Sequence, residues 1–557
     1  MADVKVYIDS ASGSDNASGS ETSPYKTLQA AYGRHGKDAA YLVKNEDGEW
    51  KEAAKSALKK AANMVEIQKK KAANEHELQL RQQKEAEERN KVLEDAKKVV
   101  LTEDSSLPRA KRISLNEKRP EVVQLGSADK PGTRVKVYGR VHRLRKQKGH
   151  LFVTLRDGRG FLQCVLSGKL ITTYAAMTLT RESSMMLVGT MQSVEEGHVA
   201  PDQRELHVDY YEVLGAAPGG DDAITNKVQA KGDVQTLLDQ RHLVLRGETA
   251  SGVLTMRGAI DKAFRDQYEE MDIKSVSPPA LVQTMVEGGA TLFGLNYYEQ
   301  TSYLTQSSQL YLETCLPSIG DCYCIEKSFR AEKSLTRRHL SEYTHIEGEL
   351  DFITFDDLLK HIETLICAVV DRVMAKPHLA AIIKELNPQF VKPTKPFKRM
   401  KYEDAIKYLQ EKEIPNEEGE QHTFGDDIAE AAERRMTDDL NVPIFLTHFP
   451  AELKAFYMSR DPDDPRVTLS VDCLMPGVGE IVGGSMRMDD LDELLAAYKK
   501  VGIDPSAYYW YTDQRKYGTS PHGGYGLGLE RFIAWLLGLY TVRDACLYPR
   551  FMGRCRP

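Results

Sequence analysis

The sequence predicts an α+β protein of several domains, and three features lead to that prediction. At 557 residues the chain is too long for a single hydrophobic core. Residues 51–100 consist mainly of Ala, Glu, Lys, Gln and Arg with few apolar positions, which is typical of a long solvated helix. Apolar and polar residues then alternate between Val135 and Leu166, as they do in half-buried strands.

Composition narrows the class of protein. Hydrophobic residues make up 41% of the chain, and no apolar run is long enough to cross a bilayer. The N-terminus lacks an apolar signal core, and Asp3 and Asp9 argue against a basic transit peptide, so we expect a cytoplasmic protein without membrane association. Eight cysteines without a C-x-x-C pair predict reduced thiols and no zinc site. A net charge of −7 argues against indiscriminate binding of polyanions.

The first hundred residues predict a small unit followed by a helix. Val4, Val6 and Ile8 alternate as a strand, and residues 40–43 predict a second strand. Two interpretations of the charged helix stay open, a solvated spacer or a helix that follows an RNA backbone. The second is suggested by its lysines, Lys55, Lys59, Lys60, Lys69, Lys70 and Lys71.

The next region predicts a small β-barrel. Its inward positions on two successive strands are apolar, and a turn at residues 157–160 joins the strands. Phe152 and Gln163 are expected on the outward face, where an aromatic ring can stack on a base and an amide can bond to its edge. The alternative is that Phe152 packs under a loop. The expected inward residues are Leu151, Val153, Leu155, Leu162, Cys164 and Leu166.

The segment FRAEKSLTRRHLSEYTHIEGEL, residues 329–350, carries the most specific pattern. Arg330 and Glu332 lie two residues apart at the end of a predicted strand, so both side chains leave the same face. A positively charged loop follows. Such a hairpin can hold a triphosphate, because guanidinium groups bind phosphate oxygens while an aromatic face and a carboxylate bind a base. The returning strand presents four side chains on one side, those of Tyr343, His345, Glu347 and Glu349.

A glycine-rich segment near the C-terminus, GTSPHGGYGLGLER at residues 518–531, complements this hairpin. Glycines let a backbone approach a ligand closely, although a helix C-cap cluster is the structural alternative. Glu530 and Arg531 open an apolar helix, so Arg531 is expected at a strand-to-helix junction. The spacing fits neither the dinucleotide fingerprint nor the Walker loop.

Together the two segments resemble motifs two and three of the class II aminoacyl-tRNA synthetases. Motif one is also recognisable, because apolar residues recur at helical spacing before an extended piece that ends at Pro279. In this family that helix and strand form the dimer interface, so the resemblance implies a homodimer. It covers residues 120–557 and implies a catalytic antiparallel sheet with flanking helices, preceded by an OB-fold β-barrel. The motif-one apolar residues are Leu254, Ile260, Phe264 and Tyr268.

The resemblance also implies a division into domains. An appended α/β domain is expected at 1–77, a charged helix and linker at 78–115, an OB-fold anticodon-binding domain at 116–218, a hinge at 219–240 and the catalytic domain at 241–557. In the barrel, Phe152 and Gln163 would read the anticodon while Arg140 and Arg145 contact phosphates.

For the catalytic domain the resemblance implies ATP as a substrate and Mg²⁺ as a cofactor. Arg330 would bridge the α-phosphate and the attacking carboxylate, Arg531 would bind the γ-phosphate, and Glu332 would accept from the adenine amine. Asp472 and Glu480 are the expected magnesium ligands, because Mg²⁺ prefers oxygen; each is otherwise a solvated loop charge. The expected ATP-binding residues are Arg330, Glu332, Arg338, His339, Leu340, Tyr343, Glu480, Gly528, Leu529, Glu530 and Arg531.

Further segments resemble the amino-acid pocket of the aspartyl and asparaginyl members. Aspartyl members place a lysine where Leu312 stands and an aspartate where Glu347 stands. One cation, Arg487, and one anion, Glu347, then face the substrate side chain, which suits a neutral amide that accepts from Arg487 and donates to Glu347. The expected amino-acid-binding residues are Glu287, Gln309, Leu312, Arg330, Glu347, Gly483 and Arg487.

The resemblance therefore implies ATP-dependent attachment of asparagine to tRNA(Asn) through an asparaginyl-adenylate, as in the asparagine-specific eukaryotic cytosolic members. Two alternatives stay open: an aspartyl-tRNA synthetase, or a synthetase-like enzyme that makes free asparagine without tRNA. The barrel with Phe152 and Gln163 argues against the second, because such an enzyme needs no anticodon reader. A signalling or scaffolding role of residues 1–100 is neither supported nor excluded.

Overall fold

The computed structural model describes residues 4–127, 130–194, 197–229, 231–286 and 292–557. The chain divides into two compact units, Met1–Ala223 and Ile224–Pro557. Within the described ranges, no helix combines the length and the apolar character that crossing a membrane requires.

The first unit begins with a three-stranded sheet of order β1-β2-β3, in which β1 pairs in parallel with β2. The predicted strand is confirmed for Val6 and Ile8, which are buried, while Lys5 is exposed and Tyr7 is half-buried. Val4 precedes the strand and is exposed, so the prediction is wrong at that residue. Helix α2 follows and is largely exposed, in agreement with its charged sequence, and it continues through residue 77. These elements are β1 (Lys5–Ile8), α1 (Leu28–His35), β2 (Ala40–Lys44), β3 (Trp50–Glu52) and α2 (Lys55–Lys97).

The rest of the first unit is a β-barrel of order β4-β5-β6-β7-β9-β8, closed by a pairing between β5 and β8. All six predicted inward side chains, from Leu151 to Leu166, are buried, because successive residues of a strand point to opposite faces. The elements are β4 (Lys111–Arg112), β5 (Arg134–Gln147), β6 (His150–Arg156), β7 (Phe161–Ser167), α3 (Tyr174–Met177), β8 (Ser184–Ser193) and β9 (Arg204–Gly215).

The second unit is built on an eight-stranded sheet of order β10-β14-β15-β20-β19-β18-β17-β16. Its pairings from β14 to β18 are antiparallel, in agreement with the predicted sheet. A separate three-stranded sheet has the order β11-β13-β12. The strands are β10 (Lys274–Ser275), β11 (Leu281–Val282), β12 (Gly294–Tyr297), β13 (Gln300–Leu304), β14 (Cys322–Phe329), β15 (Glu342–Asp351), β16 (Lys398–Lys401), β17 (Ile444–Thr447), β18 (Ser470–Met475), β19 (Gly479–Met486) and β20 (His522–Gly528).

Helices cover one face of this sheet and form its main core. Phe264 of α7, Ile366 of α10 and Phe532 of α16 lie in this core with Ile346 and Leu350 of β15. The helices are α4 (Ile224–Lys227), α5 (Val234–Asp239), α6 (Arg241–Val244), α7 (Glu248–Glu270), α8 (Gln309–Glu313), α9 (Leu316–Ile319), α10 (Phe355–Met374), α11 (Pro377–Leu386), α12 (Tyr402–Glu411), α13 (Glu430–Leu440), α14 (Leu491–Val501), α15 (Tyr509–Thr512) and α16 (Leu529–Leu537).

Candidate active site on the antiparallel sheet

A cavity of about 490 Å³ lies on the second unit, on the side of the sheet to which alternate residues of β15 point. Arg330, just after β14, and Arg531, in the first turn of α16, both line it, although two hundred residues separate them in sequence. The hairpin and the glycine-rich strand therefore meet at one site. The other predicted residues that line the cavity are Gln309, Glu332, Arg338, His339, Leu340, Tyr343, Glu347, Asp472, Glu480, Gly483, Arg487, Gly528 and Glu530.

Positive charge surrounds Glu480 at one end of the cavity. Arg531 Nη1 donates to Glu480 Oε2 at 2.9 Å and to its backbone oxygen at 3.2 Å, and Arg338 Nη2 donates to the same backbone oxygen at 3.3 Å. Desolvation disfavours the Glu480 carboxylate, but Arg531, Arg338 and Lys454 outweigh it and lower its pKa to about 2. Glu480 is thus ionised at neutral pH, and the arginines beside it can serve polyphosphate oxygens.

Helix α13 adds an acid that sequence reasoning missed. Glu433 Oε1 accepts from the Glu480 backbone N–H at 3.0 Å and from Arg338 Nη1 at 3.5 Å. Desolvation raises the pKa of Glu433 to about 7, even though Arg338 opposes this shift. Gly479, at φ +81°, makes room for the contact, because a Cβ there would lie 2.5 Å from Glu433 Oε1. Glu433 therefore holds Arg338 at the edge of the cavity.

The expected base-binding groups lie beside Arg330. The guanidinium carbon of Arg330 is 5.4 Å from the centroid of the Tyr343 ring. His339 Nε2 lies 3.5 Å from Glu332 Oε2, and desolvation lowers the pKa of His339. A neutral imidazole, a carboxylate and a phenol ring are thus grouped within one wall of the cavity.

The two expected magnesium ligands converge. Asp472 Oδ2 accepts from Lys454 Nζ at 2.9 Å, and Glu480 Oε2 accepts from Arg531. Their other oxygens, Asp472 Oδ1 and Glu480 Oε1, would lie 3.7 and 3.2 Å from a Cβ placed on Gly483. A gap bordered by two carboxylate oxygens fits a hard cation that takes its remaining ligands from phosphates and water.

Arg487 and Glu347 lie at the other end of the cavity. Arg487 is buried and makes a two-pronged bond to Glu349, Nε to Oε1 at 2.7 Å and Nη2 to Oε2 at 3.0 Å, while its Nη1 donates to Ser485 Oγ at 2.7 Å. Burial disfavours the cation, but Glu349 outweighs this effect and raises the pKa of Arg487. Glu347 accepts from the Ser308 backbone N–H at 3.0 and 3.1 Å and from the Ser307 hydroxyl.

Two glycines of β20 permit this arrangement. A Cβ on Gly524 would lie 1.9 Å from Glu349 Oε2, and one on Gly526 would lie 2.2 Å from His345 Nε2. From the sequence, the glycines are expected to let the backbone approach a ligand. At Gly524 and Gly526 the space is instead filled by the side chains of Glu349 and His345, which border the cavity. Because these glycines belong to strand β20, the helix C-cap alternative is wrong.

Several predicted residues do not line the cavity. Leu312 lies in an apolar cluster with Leu316 and Cys324, and Leu529 lies in the main core. Glu287 falls outside the described residues. Glu530 does line the cavity, but its carboxylate accepts from the Thr344 backbone N–H at 3.0 and 3.2 Å and pairs with Arg257 at 2.9 Å.

Other lining residues were not predicted. The alternation of β15 predicts the side to which His345 and Glu349 point, and both line the cavity, but the sequence indicates no role for either residue. Lys454 and Tyr457 belong to a loop between β17 and β18 that has no periodic pattern, so the sequence carries no local signal for them.

On the first unit, the four predicted anticodon residues lie on the barrel strands. Phe152 is half-buried, and the Arg145 guanidinium carbon lies 4.8 Å from its ring centroid. Gln163 Nε2 donates to Glu205 Oε2 at 2.9 Å. Arg140 is exposed and lies opposite Arg156 in the register of β5 and β6. An aromatic ring, an amide and two cations thus share the outward face.

Comparison with known proteins gives consistent matches over all regions of the chain. The family model "tRNA synthetases class II (D, K and N)" matches residues 233–552. The model "OB-fold nucleic acid binding domain" matches residues 135–214, and "Asparaginal-tRNA synthetase, N-terminal domain" matches residues 20–108.

Similar proteins and structures carry the same description. The chain is 55% identical to the cytoplasmic asparagine–tRNA ligase of Saccharomyces cerevisiae over 99% of this chain and 100% of the relative, and 48% identical to that of Homo sapiens over the full length of both. The asparaginyl-tRNA synthetase of Entamoeba histolytica in complex with asparaginyl-adenylate is 44% identical, with a TM-score of 0.74 over 81% of this chain and 100% of that one. The Pyrococcus horikoshii complex with asparaginyl-adenylate is 37% identical, with a TM-score of 0.71 over 76% and 96%.

Proposed function

This chain belongs to the class II aminoacyl-tRNA synthetases, within them to the asparaginyl-tRNA synthetases, and on that premise we propose that its cavity activates asparagine with ATP for transfer to tRNA(Asn). The observation that carries the proposal is the meeting of Arg330, Arg531 and Arg487 in one cavity. The named location of the relatives places the reaction in the cytoplasm.

In the first step a carboxylate oxygen of asparagine attacks the α-phosphorus of ATP, and the bond from that phosphorus to the β-bridging oxygen breaks to release pyrophosphate. We propose that Arg330 holds the α-phosphate beside the carboxylate and that Arg531 and Arg338 hold the terminal phosphates. Little proton transfer is needed, so catalysis consists mainly of positioning and charge neutralisation. In the second step a hydroxyl of the terminal tRNA adenosine attacks the carbonyl carbon, and AMP leaves.

Magnesium would be held by Asp472 and Glu480, whose oxygens border the gap above Gly483. When bound, the ion neutralises phosphate charge. Lys454 and Arg531 occupy the other oxygen of each carboxylate and thereby orient both groups toward that gap.

Selectivity for asparagine would come from Arg487 and Glu347. Arg487 donates to the side-chain carbonyl oxygen, and Glu347 accepts from the side-chain amide. An aspartate carboxylate meets Glu347 as a like charge, which is unfavourable in a desolvated site. Glu347 is oriented by Ser307 and Ser308, so it has little freedom to move away.

The barrel would bind the anticodon through Phe152, Gln163, Arg140 and Arg145, and the protein would act as a homodimer through α7 and the segment that ends at Pro279. Sedimentation equilibrium tests the homodimer directly. A single species of monomer mass at micromolar concentration would contradict it.

The decisive assay is ATP–pyrophosphate exchange across the amino acids. We expect exchange with asparagine and little with aspartate, and we expect Arg330→Ala to abolish it while the thermal unfolding midpoint stays unchanged. Exchange with aspartate alone would favour the aspartyl alternative, and formation of free asparagine from aspartate and ammonia would favour the enzyme that acts without tRNA.

A further inference from the structure

Glu313, the last residue of α8, is a buried acid outside the lining of the cavity. Its Oε2 accepts from Arg515 Nη2 at 2.7 Å and hydrogen-bonds with His522 Nε2 at 3.0 Å. Its Oε1 accepts from Gln309 Nε2 and from the Tyr511 hydroxyl, each at 3.1 Å. None of the roles proposed above uses it.

Glu313 nevertheless acts on the residue that faces the substrate side chain. Its Oε1 lies 4.0 Å from Arg487 Nε, although Arg487 lines the cavity and Glu313 does not. Arg487 and Arg515 are the cations of this buried cluster, joined by His522 when its ring is protonated, and Glu313 and Glu349 are its acids. Burial disfavours protonation of His522, but Glu313 outweighs this effect and raises its pKa. Burial disfavours the Glu313 carboxylate, but Arg515 and His522 outweigh it and lower its pKa, so Glu313 is ionised.

The charges of the groups around Arg487 determine whether it binds a ligand as a hydrogen-bond donor or as a net positive charge. Two nitrogens of Arg487 donate to Glu349 and the third donates to Ser485, so each nitrogen of the guanidinium group already makes one hydrogen bond within the protein. With Glu313 ionised, each arginine of the cluster has a carboxylate. Arg487 then acts on the cavity as a hydrogen-bond donor whose charge Glu349 balances, while Arg515 and His522 share the single carboxylate of Glu313. Without that carboxylate, positive charge from Arg515 and His522 would remain uncompensated in a region where water cannot screen it.

We propose that Glu313 is a positioning residue for specificity, which neutralises the positive charge behind Arg487 and thereby favours the asparagine amide over the aspartate carboxylate. This inference rests on the proposed function. A glutamine of the same shape can turn its carbonyl oxygen toward Arg515 and its NH2 group toward the Tyr511 hydroxyl, whose oxygen can accept. The variant therefore removes the charge of Glu313 and keeps its volume and its bond from Arg515, while the bond from Gln309 is lost.

The test compares Glu313→Gln with the wild type in ATP–pyrophosphate exchange, with asparagine and with aspartate as substrates. We expect the ratio of kcat/KM for asparagine to that for aspartate to fall at least tenfold, mainly because aspartate is used better. Tyr511→Phe is the matched control, because it removes the hydrogen bond from the Tyr511 hydroxyl to Glu313 and the one from Arg515 to that hydroxyl without changing any charge. Its ratio should equal that of the wild type.

A second variant keeps the test decisive if Glu313→Gln does not fold. His522→Gln removes a cation and keeps an amide donor, so the cluster becomes more negative and the asparagine-to-aspartate ratio should rise. An equal loss with both substrates, in either variant, would show a purely structural role and overturn the inference. Wild-type protein that fails to use asparagine would overturn the proposed function as well, whereas normal wild-type selectivity with unshifted variants would overturn the inference alone.

Discussion

Gly524 offers the sharpest single test of how the amide end of the cavity is built. A Cβ at this position would lie 1.9 Å from Glu349 Oε2 and 2.4 Å from the Gly348 backbone oxygen, whereas Cβ contacts under 3.0 Å essentially never occur. Gly524→Ala must therefore displace the Glu349 carboxylate by about 1 Å or separate β15 from β20. Either movement breaks the pair between Glu349 and Arg487, whose bonds measure 2.7 and 3.0 Å.

The cost follows from the burial of both charges. Breaking a buried ion pair costs about 3–5 kcal/mol. Since about 1.4 kcal/mol is a factor of ten in rate, kcat/KM for asparagine in the exchange assay should fall by roughly 10²- to 4 × 10³-fold if the whole cost is lost from the transition state. We also expect a lower thermal unfolding midpoint.

A glycine at which a Cβ fits without a clash provides the matched control for Gly524→Ala. Gly33→Ala in α1 should leave activity unchanged and should not lower stability, because the nearest neighbour of the added Cβ is a Val65 methyl group at 3.7 Å and alanine favours a helix over glycine. A Gly524→Ala variant with wild-type kcat/KM for asparagine and an unchanged midpoint would refute the reasoning about Arg487 and Glu349.

Three further predictions concern other parts of the chain. Phe152→Ala should raise KM for tRNA about tenfold or more, since stacking one base contributes about 1–3 kcal/mol, while ATP–pyrophosphate exchange stays intact; impaired exchange would contradict it. Glu433→Gln weakens the hold on Arg338 and should raise KM for ATP a few-fold, as expected for an interaction of about 1 kcal/mol, and an unchanged KM would assign Glu433 to folding alone. Replacing the exposed residues Lys69, Lys70 and Lys71 with glutamine should make the plot of log tRNA affinity against log salt concentration less steep. The slope should change by about 0.7–0.9 for each phosphate that the variant no longer neutralises. An unchanged slope would favour the spacer interpretation of α2.

The sequence predicted what depends on local pattern. Strand alternation placed Leu151 inside the barrel and Phe152 on its outward face, because the side-chain period of a strand is two. Helical spacing of Leu254, Ile260, Phe264 and Tyr268 predicted α7. The resemblance of the two distant segments to motifs of one family predicted that Arg330 and Arg531 share a site, and both line the same cavity. Neither segment predicts this by itself.

What the sequence missed depends on contacts between distant segments. Glu313 and Arg515 are two hundred residues apart, and nothing in the run QLYLE distinguishes an acid that bonds to a buried arginine from a solvated one. Glu433 lies in a helix with six charged residues among eleven, EAAERRMTDDL, so its contact with Arg338 has no local signal. The contacts of Glu313 and Glu433 can be identified only from the folded structure, in which the sheet and helix α13 bring distant residues together.

The central claim is that Arg330 and Arg531 act on one nucleotide. A crystal structure of the protein with asparagine and a non-hydrolysable ATP analogue tests it most directly. We expect a single bent nucleotide whose α-phosphate accepts from Arg330 and whose γ-phosphate accepts from Arg531. A nucleotide bound elsewhere, or one that contacts only one of the two guanidinium groups, would contradict the account.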